Sequence, residues 1–123
     1  MVSGFHILSD AYPDGSTAID CIRPVGEYLA DIRRKAPNLR IHCELASIAG
    51  SVVREGVRTE ILPQMHSLGL NEAELITWLD DFGSAEVGRR IDADNAPEAV
   101  LEGVRVIAEA TGVPRVHLHN LGY

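Results

Sequence analysis

The 123 residues, at 13.4 kDa, have room for one domain with a real core and not for two. A 46% apolar and 24% charged composition excludes disordered, collagen-like and coiled-coil chains, and no apolar run nears the ~20 residues that span a bilayer. The net charge of −7 repels phosphate backbones and argues against a nucleic-acid partner.

In chain order, Val2–Leu8 reads as a first strand, closed by the turn-rich stretch Asp10–Gly15. From Ser16 to about Lys35, Ile19, Ile22, Val25, Leu29 and Ile32 recur at helical spacing. Pro24 falls inside this run, so the helix is expected either to kink there or to begin after it. Leu39–Ala46 is the second strand. Val52, Val53, Val57, Ile61 and Leu62 then form a shorter helical stripe ended by Pro63. Ser67–Leu70 is a very short third strand, and Asn71 opens a helix carrying Leu75, Ile76, Leu79 and Phe82, closed by Gly83. A small helical piece spans Ala85 to Arg90. Asn95 reads as the cap of a further helix with Pro97 in its first turn, ending at Thr111-Gly112, and Arg115–Leu121 is the fourth strand.

Strand alternating with helix marks an α/β domain: three layers, αβα, on a mainly parallel sheet of about four strands. The chain starts and stops on a strand, which suggests a single partial domain of a larger protein, or a module that associates through open sheet edges. Cys21 and Cys43 are too few for a disulfide framework or a Cys-only zinc site; they suit a reducing, cytoplasmic setting and are expected to pack as small apolar residues. No secretory leader is visible. Trp78 is expected in the core or on a partner-facing surface.

Polar residues gather where a parallel sheet collects ligands, at the carboxyl ends of its strands. His42 and Glu44, two apart on a strand, project to one side and Cys43 to the other. The pair can hold a cation or be no more than a satisfied His–Glu contact. Asn71-Glu72-Ala73-Glu74 fits a capping box, and the same geometry offers a positive helix start for phosphate and a carboxylate for its magnesium. His117 and His119 also share a strand face; a zinc reading lacks a third ligand nearby in sequence.

Four segments carry a likeness: Val2-Ser3-Gly4-Phe5-His6, Ile41-His42-Cys43-Glu44-Leu45-Ala46-Ser47, Ser67 to Leu75, and Val116-His117-Leu118-His119-Asn120-Leu121-Gly122-Tyr123. In this order they resemble the ADP-dependent sugar kinases, the glucokinase and phosphofructokinase family built on the ribokinase-like fold. The chain looks like the middle of that family's large domain. The resemblance implies transfer of the β-phosphoryl group of ADP to a hydroxyl of glucose or fructose 6-phosphate, leaving AMP, with magnesium as cofactor. By the same resemblance Glu44 and Glu74, with His42 beside them, belong to the metal site, and Asn71, His119 and Asn120 lie near the nucleotide. The family's Gly-x-Gly-Asp catalytic motif does not occur among these residues, and neither does the sugar-closing lid, so the chain by itself is expected to be inactive or nearly so. His66 stands where the family usually has Asp, which implies an altered metal environment. Two other readings compete: a metal-dependent hydrolase using His42, Glu44, His117 and His119, and a non-catalytic α/β module.

Overall fold

The computed structural model describes residues 1–94 and 96–119. Its sheet has three parallel strands, β1 (His42–Glu44), β2 (Ser67–Asn71) and β3 (Val116–His119), in that spatial order. Register runs Cys43 to Leu68 to Val116 and Glu44 to Gly69 to His117. The expected first strand is reduced to a single parallel bridge, in which Val2 N–H donates to the His42 carbonyl and Glu44 N–H to the Val2 carbonyl. Gly4, at φ 94°, then turns the chain into a 3-10 turn (Phe5–Ile7) that sends Phe5 into the core. The α/β fold class holds, with three strands and a bridge in place of four.

Helix α1 (Ala18–Lys35) runs through Pro24, starting before it at a capping box made by Thr17 and Asp20. Helix α2 (Ser51–Gly56) continues as a π-helical turn (Val57–Ile61) and a 3-10 turn (Leu62–Gln64), so Pro63 sits within the last turn and does not end the preceding one. Three helices join β2 to β3: α3 (Glu72–Asp81), α4 (Ala85–Asp94), longer than the expected Ala85–Arg90, and α5 (Pro97–Thr111). The cap position of α5 is Ala96, not Asn95, and Ala96 makes no side-chain cap bond; Asn95 lies outside the described residues.

The strand alternation positions the site. Cys43, Leu68 and Leu70 point into one apolar core with Ile22, Val53, Leu75, Trp78 and Ile107 from the helices. His42, Glu44, Ser67, Gly69, His117 and His119 take the opposite face, as the period-2 side-chain rule requires. That face is polar and partly open to solvent, with the Glu44 side chain 33% exposed. Trp78 is a core residue, 1% exposed and stacked on Phe82. The expectation for the thiols divides: Cys43 is buried as expected, but Cys21 is exposed on α1 and does not pack in the core.

Candidate functional site

On the polar face Glu44 lies across β2. Its Oε1 is 2.7 Å from His42 Nε2 and 3.5 Å from His119 Nε2. The other His42 nitrogen, Nδ1, is 2.7 Å from Ser67 Oγ, and the His117 ring meets His42 edge to face at 5.6 Å. The hydrogen bond from His42 is the largest influence on the Glu44 carboxyl and holds it below the usual carboxylate range; burial opposes it, and the charges of His42 and His119 add to it. Glu44 is therefore ionised at neutral pH. Gly69 makes room for it: a methyl group there would sit 2.5 Å from the Glu44 Cδ.

Beyond the end of β2 the chain enters α3 through a complete capping box. Asn71 Oδ1 accepts from Glu74 N–H at 2.9 Å, and Glu74 Oε2 accepts from Asn71 N–H at 2.9 Å. Ser47 Oγ donates to the other Glu74 oxygen at 3.2 Å, linking this helix start to the loop after β1. That loop carries Ala46 at φ 51°, left-handed backbone that a side chain adopts at a cost of about 1 kcal/mol or more. Beside it opens a cavity of about 400 Å³ lined by Ser47, Glu74, Trp78 and Arg54. Arg54 is anchored by Asp81 and by the carbonyls of Ile48 and Ala49.

The sequence-expected residues thus fall into two groups at one rim. Glu44, Asn71 and His119 end three neighbouring strands, and Asn71 and His119 are direct register partners. His42 and Glu44 share a contact; Glu74 is held by Asn71 and Ser47. Asn120 lies outside the described residues. His66 is at the other end of β2 from Asn71, away from this rim. Sequence reading missed three contributors: Gly69, Ser67 and Ser47. A glycine on the same strand parity as Ser67 was the available signal for Gly69.

Among the described residues no group of three His, Cys, Asp or Glu side chains could hold a metal ion. The His42, Glu44, His117 and His119 cluster therefore lacks the three-ligand arrangement a catalytic zinc requires. Magnesium asks less: one or two carboxylates, with water and phosphate oxygens completing the octahedron. The ionised Glu44 and the oxygen donor Glu74 fit that need. No helix among the described residues is long and apolar enough to cross a membrane.

The ADP-specific phosphofructokinase/glucokinase family model matches residues 1–123. An ADP-specific phosphofructokinase of Methanosarcina acetivorans is 31% identical over all of this chain and 26% of its own length. An ADP-dependent glucose/glucosamine kinase of Pyrococcus abyssi is 35% identical, again over all of this chain and 26% of its own. A solved ADP-dependent kinase in complex with fructose 6-phosphate and ADPβS superposes with a TM-score of 0.88 at 29% identity, covering 98% of this chain and 27% of that one. The chain thus spans about a quarter of the length of the relatives it matches. With its whole length matched by the family model and its parallel sheet superposing on a solved member, the chain belongs to the ADP-specific phosphofructokinase/glucokinase family.

Proposed function

We propose that this chain forms the metal- and phosphate-holding part of the large domain of an ADP-dependent sugar kinase. The reaction is transfer of the β-phosphoryl group of ADP to a hydroxyl of glucose or fructose 6-phosphate, giving AMP. The observation that carries this reading is the rim itself: an ionised Glu44, the Asn71 cap and His119 at three adjacent strand ends, with Glu74 in the first turn of α3.

Phosphoryl transfer asks a protein mainly for positioned charge. Magnesium, when bound, would neutralise charge on the phosphoryl oxygens as the leaving group departs. Glu44 and Glu74 would hold it, partly through water, while His42 keeps the Glu44 carboxylate ionised and oriented. The amino end of α3 presents a positive dipole end to the phosphates. Asn71 holds that helix start in shape, and His119, the register partner of Asn71, would face the nucleotide; a nucleotide role for Asn120 rests on the family resemblance alone. The acceptor's proton needs a base that these residues do not supply, since Gly-x-Gly-Asp is absent from the sequence. Turnover by this chain alone is therefore expected to be undetectable. Membership of the kinase family supports a place in sugar breakdown, the two free thiols suit a cytoplasmic setting, and the open strand edges suit the rest of a kinase or a second copy.

The test is calorimetric titration of the 123-residue chain with ADP. Saturable binding that requires magnesium and weakens by about tenfold or more in Glu74→Gln supports the reading. No magnesium-dependent binding, with no effect of Glu74→Gln, removes it.

A further inference from the structure

The opposite end of the sheet carries a second constellation. Three basic side chains stand just before the three parallel strands: Arg40 before β1, His66 before β2 and Arg115 before β3. Parallel pairing of the strands (His42 with Ser67, Leu68 with Val116) brings their leading ends together, and all three line one cavity of about 550 Å³, with Pro114 and Ser67 completing the wall. No acidic side chain is among the lining residues.

Pairing elsewhere makes the cluster unusual. In a chain of net charge −7, every Lys and Arg other than Arg33, Arg40 and Arg115 reaches a carboxylate. Arg33 donates to the Pro63 carbonyl, and its charge acts on His66. The two remaining arginines both face this cavity. Surplus acid is available, yet among the described residues no carboxylate pairs with either of them.

His66 is set as a donor. Ile41 N–H donates to its Nδ1 at 3.0 Å, so a neutral ring carries its proton on Nε2. Burial, then the charges of Arg33 and Arg40, lower its pKa from the ordinary histidine value, which keeps the ring neutral at pH 7.

We propose that this cavity is a binding site for a small phosphate-bearing molecule, held by the guanidinium groups of Arg40 and Arg115 and the Nε2–H of His66. Three donor groups from three strands match the peripheral oxygens of a phosphate better than the two of a carboxylate, and arginine forks suit that geometry. The concave cavity favours a small ligand over a flat protein partner. Ser67, in its wall, stands four residues before Asn71 along β2, about 13 Å of strand, so the cavity is a separate site from the one assigned to the nucleotide.

The test is amide NMR of the ¹⁵N-labelled chain titrated with inorganic phosphate at fixed ionic strength, with chloride and acetate as controls. The site predicts saturable phosphate shifts at Ile41, His66 and Arg115, with Asn71 and Glu74 unmoved. The double variant Arg40→Ala/Arg115→Ala, made at exposed positions, should weaken binding about tenfold or more with the remaining spectrum unchanged. The single variant Arg40→Gln, which removes only one charge, should give a smaller loss. Shifts no larger than those from chloride, equal shifts from acetate, or undiminished binding in both variants would overturn the proposal.

Discussion

Gly69 and Glu44 are register partners on neighbouring strands, and the carboxylate of Glu44 occupies the space where a side chain at position 69 would begin. The clash of Gly69→Ala would fall on the far end of a flexible side chain, which can swing away, and not on backbone. This substitution should therefore change stability by no more than about 1 kcal/mol while breaking the Glu44–His42 contact. Thermal melts should stay close to wild type while magnesium-dependent ADP affinity falls as far as in Glu44→Gln. A large drop in melting temperature with unchanged affinity would assign Gly69 to packing alone.

The capping box separates structure from metal binding at a single residue. In Glu74→Gln the side-chain oxygen can still accept from Asn71 N–H, so α3 keeps its cap and stability should change by about 0.5 kcal/mol or less. Asn71→Ala removes the bond to Glu74 N–H and should cost about 1 kcal/mol. Denaturant melts of the two variants give both values. A Glu74→Gln loss equal to that of Asn71→Ala would mean that the carboxylate serves the helix start more than any ion.

Protonation of Glu44 has a definite sign. Its folded-state pKa is lowered, first by the hydrogen bond from His42, so its contribution to stability is present above the ordinary value of 4.5 and is lost as pH falls through the folded value. His42→Ala should raise the Glu44 pKa toward 4.5, read from its side-chain carboxyl ¹³C shift. An unmoved titration in His42→Ala would show that another group sets the charge.

The thiols should differ in reactivity. Cys43 has no exposed surface, and burial, with the neighbouring Glu44 charge, pushes its pKa up to about 12, so its thiolate is scarce. Cys21 is exposed. A disulfide reagent should label one thiol in the native protein and both in denaturant; rapid labelling of Cys43 in the native state would contradict the described core.

Much of this was legible in the sequence, for identifiable reasons. Period-2 alternation put His42 and Glu44 on one side and Cys43 on the other, as found, because a strand side chain has only two directions. The Asn71–Glu74 spacing gave the capping box because that motif is local. Reading failed where distant partners decide. Val2–Leu8 is apolar enough for a strand, but Gly4 breaks it and the core claims Phe5. Pro24 is tolerated inside α1, at an exposed position of the helix. The Gly69 cradle and the Arg40–His66–Arg115 cavity both arise from strand register, which no single segment reveals.

The central claim is that Glu44 and Glu74 serve one divalent ion, although the protein holds each with its own partners. Manganese, a paramagnetic stand-in for magnesium, tests it directly through line broadening in the NMR spectrum of the chain with ADP. Broadening of the Glu44 and Glu74 signals together, at the same low manganese concentration and reversed by excess magnesium, is the predicted result. Broadening at only one of the two, or first at acidic surface residues such as Asp92 and Asp94, would contradict it.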